Sequence, residues 1–125
     1  MNTRRSKFRA KPGRGLPTKS RLEEAFALQL KASGVLFHRE FQFHPERRWR
    51  CDFRIPTALG CQEIIVEIEG GVYTGGRHTR GRGFEADIEK YNELAIRGYL
   101  LLRGTALHVR NGNLCAWVGK ALETR

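Results

Sequence analysis

The sequence predicts an α/β domain of the α+β kind, with a mixed central sheet of about four strands flanked by helices. Three observations carry this reading. Short runs rich in β-branched and aromatic residues, the mark of strands, recur at residues 37–43, 49–55, 64–69 and 99–103. Longer stretches with apolar residues at helical spacing lie before the first run and between the last two. Glycines and prolines punctuate the connections. The predicted order is α-β-β-β-α-β-α, one domain over residues 20–125 behind a basic arm at residues 1–19.

The arm holds Arg4, Arg5, Lys7, Arg9, Lys11, Arg14 and Lys19 and no acid. It has too little apolar surface to fold alone, so it reads as a phosphate-binding arm or a solubilising tail. Ser20-Arg21-Leu22-Glu23 then has the form of a capping box opening a helix that Gly34 ends. Glu23 is therefore either the cap's reciprocal acid or an acid turned toward the sheet.

Residues 37–43 alternate, with Phe37, Arg39, Phe41 and Phe43 expected on one side. After a turn at Pro45, Glu46, Arg47 and Arg48, residues 49–55 return as the second strand of an antiparallel hairpin. Asp52 stands inside that strand between Cys51 and Phe53. A charge there is paired with a cation or holds a metal.

The next strand, Ile-Ile-Val-Glu-Ile-Glu before Gly70 and Gly71, carries two more acids. Strand alternation puts Glu67 and Glu69 on one face and Ile64, Val66 and Ile68 on the other. At about 4 Å and an effective dielectric of about 20, two carboxylates repel by roughly 4 kcal/mol. A divalent metal, a raised pKa or basic neighbours must offset that. Pairing of this strand with the Asp52 strand brings all three acids to one end of the sheet.

The glycine-rich segment that follows contains Arg77, His78, Arg80 and Arg82. It lacks the Gly-Lys-Ser/Thr ending of a Walker A loop and the third glycine of a dinucleotide fingerprint. Arginine with glycine suits close approach to phosphate. Residues 84–97 form a helix with Phe84, Ile88, Tyr91, Leu94 and Ala95 on one side, stopped by Gly98. Lys90, one turn from Asp87, is either half of a surface ion pair or a catalytic cation. Residues 99–103 read as a strand parallel to the one before the helix. Residues 106–110 fit a short helix or a strand, and residues 114–122 a final helix.

A chain of 125 residues is one domain with room for a core that needs no disulfide. Its net charge of +10 makes a polyanion, and above all nucleic acid, the expected partner. No apolar stretch is long enough for a membrane span and the N-terminus has no signal-peptide core, so a cytosolic setting is expected, the host's cytosol if the gene is a phage's. Cys51, Cys61 and Cys115 form neither zinc spacing nor a disulfide framework, and His38, His44, His78 and His108 are scattered.

The order of elements, with Glu23 in the first helix, Asp52-Phe53, the strand end at residues 66–71, Arg77-His78, and Asp87 to Lys90 running on to Leu101-Leu102-Arg103, resembles the PD-(D/E)xK nuclease superfamily. It is most similar to the small very-short-patch-repair and DUF559-like endonucleases of phages and mobile elements. The resemblance covers residues 20–122 and implies a restriction-endonuclease-like core and a DNA endonuclease using Mg2+, with Mn2+ as a substitute. It implies Asp52, Glu67 and Glu69 as metal ligands and Glu23 as an outer ligand through water. Arg77, Arg80 and Arg82, with the arm's Arg4, Arg5, Lys7 and Arg9, would grip duplex or branched DNA. In the superfamily motif a lysine stands two residues after the acid; here that position is Glu69, and Lys90 or His78 is the candidate cation. The competing reading is a non-catalytic nucleic-acid-binding protein on the same fold. Since one active centre nicks one strand, cutting both would call for a homodimer.

Overall fold

The computed structural model describes residues 18–70 and 82–125, Arg82 by its backbone. Arg4, Arg5, Lys7, Arg9, Arg77, His78 and Arg80 lie outside the described residues. The fold is α+β: a four-stranded mixed sheet in the order β1-β2-β3-β4, flanked by helices.

Helix α1, Lys19–Ala32, starts earlier than its sequence suggests. Thr18 is the cap, in extended conformation, and its hydroxyl accepts the Arg21 N–H at 3.1 Å. Thr18 and Ser20 are comparable N-caps, but the earlier start makes Lys19 the first helical residue and removes Glu23 from any capping box. Glu23 is thus free to project from the second turn, one turn beyond Lys19. Gly34, with a φ of +74°, ends the helix in the left-handed conformation glycine adopts without strain.

Strands β1 (His38–Phe41) and β2 (Cys51–Ile55) form the expected antiparallel hairpin, and β3 (Ile64–Ile68) pairs antiparallel with β2. Helix α2, Arg82–Ile96, crosses over to β4, Leu100–Gly104, which lies parallel to β3. The ambiguous residues after it form a short helix α3, Ala106–Arg110, followed by α4, Asn113–Glu123.

β3 is an inner strand buried on both faces, which is why its apolar run is continuous. Toward α1 and α4, a core of Leu22, Phe26, Leu30, Phe53, Ile64, Val66, Ile68 and Leu114 fills one face. A smaller cluster of Phe43, Cys51, Ile65 and Leu94, with Tyr91 and Tyr99 beside it, fills the other.

Two packing expectations are corrected. Phe37 packs with the first cluster whereas Phe41 and Phe43 pack with the second. Glu40, at a φ of +54°, turns the strand over between Arg39 and Phe41. On α2, Leu94 is fully buried, but Phe84 and Ile88 remain 52% and 43% exposed. Among the described residues no helix is long and apolar enough to cross a membrane.

Gly104 closes β4 against α4. A Cβ there would lie 3.0 Å from Leu114 Cδ2 and 3.2 Å from His108 Cβ. Gly104→Ala is expected to destabilise the fold by about 1 to 3 kcal/mol through overpacking, read as a lower urea midpoint at unchanged slope.

Candidate active site

The β2–β3 ladder runs from Ile55 opposite Ile64 to Phe53 opposite Val66. Beyond that pair, two acids take over from the ladder. Asp52 Oδ2 accepts the Ile68 N–H at 2.8 Å, and Glu67 Oε2 accepts the Asp52 N–H at 3.0 Å. Each strand thus satisfies an N–H of the other with a carboxylate, and both acids are held at the mouth of the splayed strands.

The second oxygen of each acid meets a lysine. Asp52 Oδ1 lies 3.2 Å from Lys19 Nζ of α1, and Glu67 Oε1 lies 3.0 Å from Lys90 Nζ of α2. Lys90 also donates to the Arg50 carbonyl at 2.6 Å. Lys90 is therefore the partner of Glu67 across the sheet, and Asp87, one turn away, is exposed.

Glu67 is 5% exposed, the one charged residue buried among those described. Burial first, and then the charge of Asp52, push its carboxyl above the usual carboxylate range, while Lys90 pulls the other way. Burial likewise pushes the neighbouring Cys51 thiol up to about 12, which leaves it inert at neutral pH.

Lys19 reaches Asp52 because Gly70 follows β3. A Cβ on Gly70 would stand 2.9 Å from Lys19 Cβ, so only glycine lets the first turn of α1 close on the strand end without displacement. Glu23 lies at the edge of this cluster: it accepts from Arg39 Nη2 at 3.1 Å and sits 3.9 Å from Lys19 Nζ. Burial and then the Asp52 charge raise its carboxyl too.

Glu69 is turned elsewhere. Its Oε2 accepts from the Tyr91 hydroxyl at 2.7 Å and from Arg103 Nε at 2.9 Å, and the Arg103 guanidinium stacks 4.5 Å above the Tyr91 ring. Burial and this hydrogen bond push the Tyr91 phenol upward. The structure thus brings together Asp52, Glu67, Lys90 and, at the edge, Glu23, and gives Glu69 separate partners. No group of three His, Cys, Asp or Glu among the described residues could by itself hold a metal ion.

Sequence reasoning gave Lys19, Arg39 and Tyr91 no place in this region, and named Arg103 in the resemblance without a role. For Arg103 a signal existed: in the parallel register it lies opposite Glu67, so its strand ends where the acids are. Lys19 had none, because its place depends on the helix start and on Gly70.

No protein-family model matches the chain, and no curated protein does. Among solved structures it is similar to the "Homing Endonuclease I-Bth0305I Catalytic Domain", with a TM-score of 0.56 and 16% sequence identity over 81% of this chain and 91% of that chain. At that identity the likeness is one of fold: the four-stranded mixed sheet with its flanking helices is also the frame of a nuclease domain.

Proposed function

We propose that the protein is a metal-dependent DNA endonuclease of the PD-(D/E)xK kind that hydrolyses phosphodiester bonds at the Asp52–Glu67 end of the sheet. The observation that carries this reading is the acid pair itself. Two carboxylates, one of them nearly buried, are locked in place by backbone N–H groups across splayed strands, with their other oxygens turned to cations. A protein that only bound phosphate would gain nothing from acids that repel it.

The donor set fits Mg2+. This hard ion takes oxygen ligands, commonly one or two carboxylates with several retained waters, and a dication would offset both the burial and the Asp52 charge that raise the Glu67 carboxyl. Asp52 and Glu67 would hold it. Once bound, Mg2+ supplies Lewis-acid charge and lowers the pKa of its water. The chain's own groups orient the rest. Lys90 fixes the Glu67 carboxylate and ties it to the hairpin through the Arg50 carbonyl. Arg103, held by Glu69 and stacked on Tyr91, presents a guanidinium from β4 for a backbone phosphate. Glu23 orients Arg39 and adds negative charge behind Asp52. In the hydrolysis, water adds to phosphorus, the bond to the leaving oxygen breaks, and that oxygen takes a proton. DNA, duplex or branched, is the substrate, with Arg77, Arg80, Arg82 and the arm as further contacts.

One observation favours a non-catalytic binder: Glu69 occupies the position of the motif lysine. A nicking assay decides between the two. Supercoiled plasmid and a panel of duplex, branched and single-stranded DNA and RNA are incubated with Mg2+, Mn2+ or EDTA, comparing wild type with Glu67→Ala. Metal-dependent cleavage lost in the variant is the expected result. Binding at matched salt without cleavage of any substrate would establish the binder instead.

A further inference from the structure

The two lysines of the acid pair differ in a way that separates their roles, and we infer that Lys19 is the catalytic cation that contacts the cleaved phosphate, while Lys90 is a positioning residue for Glu67. This rests on the endonuclease reading above.

Lys90 cannot serve a substrate from where it is. Its side chain is 12% exposed, and its ammonium is shared between the Arg50 carbonyl at 2.6 Å and Glu67 at 3.0 Å. Leaving would strand a nearly buried carboxylate and a carbonyl at once. Breaking a buried pair in this way is strongly unfavourable, because it leaves an uncompensated charge.

Lys19 has the opposite character. Its side chain is 46% exposed, and among the described residues its ammonium meets two carboxylates, hydrogen-bonding Asp52 at 3.2 Å and lying 3.9 Å from Glu23. Only the lysine end of these pairs is open, the acid side chains being 12% and 14% exposed, so the ammonium can turn from a carboxylate oxygen to a phosphate oxygen while staying in water. Asp52 meanwhile keeps its hydrogen bond from Ile68 through the other oxygen and stays in place. The base of the Lys19 side chain is held against Gly70, which fixes where the ammonium is delivered. An anchored backbone with a half-exposed ammonium at the mouth of the acid pair is what charge stabilisation of a phosphorane-like transition state needs. Glu69 cannot supply it, and the lysine absent from that strand is matched in charge from α1.

The test compares wild type, Lys19→Met, Lys19→Arg and Lys31→Met in single-turnover plasmid nicking with Mg2+, with melting temperature and duplex binding in EDTA measured on each. Lys31 is exposed at the far end of α1 and controls for the loss of one positive charge. The expected result is a loss of about 100-fold or more in rate for Lys19→Met, as for removal of one transition-state donor. Lys19→Arg recovers part of it, Lys31→Met stays near wild type, and melting temperature and EDTA binding change little throughout. Gly70→Ala, which displaces the first turn of α1, should lose rate in the same way. Cleavage by Lys19→Met at the rate of Lys31→Met overturns the inference and leaves the endonuclease reading standing. So does a rate loss that tracks a fall in melting temperature, since that marks a structural role. If wild type cleaves nothing, the endonuclease reading fails first and this inference with it.

Discussion

Asp52→Asn is expected to abolish metal-dependent nicking, by about 100- to 1,000-fold or more, while leaving the fold intact. Asparagine keeps a carbonyl oxygen where Oδ2 accepts the Ile68 N–H, so the hydrogen bond that bridges the splayed strands survives. What is lost is the charge: the amide nitrogen turns a donor toward Lys19 and offers no anionic ligand to a dication. Removing that charge also relieves the repulsion that, after burial, raises the Glu67 carboxyl. In EDTA the variant should therefore melt at or above the wild-type temperature. Lost cleavage in a protein of undiminished stability separates a role in chemistry from one in folding. Unchanged cleavage would mean that Asp52 is only a strand clamp and that the chemistry lies elsewhere.

How much of this could be read in the sequence depends on whether a residue's role is local. An acid inside an apolar strand is conspicuous because desolvating a charge is costly, so Asp52 and Glu67 stood out, and strand alternation placed Glu67 opposite Val66 and Ile68. The pairing of β2 with β3 followed from adjacency, and the parallel setting of β4 from the intervening helix. Roles set by packing between distant segments were hidden. Thr18 and Ser20 are both good caps, and the start at Thr18, with Gly70 leaving room for the first turn of α1, brings Lys19 to Asp52. Nothing in a glutamate announces a left-handed backbone, so the reversal at Glu40 that parts Phe37 from Phe41 and Phe43 was invisible. Glu69 had the alternation expected of it yet found Tyr91 and Arg103, because β4 delivers an arginine to the same edge. Alternation gives a side chain's face and leaves its partner open.

Lys90→Met carries the other large effect, this time on stability, and it probes the metal site without reference to catalysis. The substitution keeps the bulk of the side chain and removes the ammonium from Glu67, whose side chain is 7% exposed, and from the Arg50 carbonyl. An uncompensated buried carboxylate costs about 3 to 5 kcal/mol, which for a domain of this size is a fall in melting temperature of roughly 10 °C or more in EDTA. The Glu67 carboxyl already sits above its ordinary value of 4.5, chiefly through burial and then through Asp52, and Lys90 is the first of the groups that lower it. A carboxyl raised in the folded state binds protons that the unfolded chain has released, so its contribution is fully present below the unfolded value and is lost as pH rises through the folded one. Without Lys90 the folded value climbs further. The penalty in the variant should therefore be smallest in acid, below 4.5, and grow as pH rises above it, a trend that Glu67→Gln in the same background removes. Mg2+ should then raise the melting temperature of Lys90→Met by more than that of wild type, because the ammonium that competes for the Glu67 oxygen is gone and binding to the folded state alone adds stability. A variant equally unstable with and without Mg2+ or Mn2+ would show that the acid pair takes no dication, and the metal-dependent reading would fall with it.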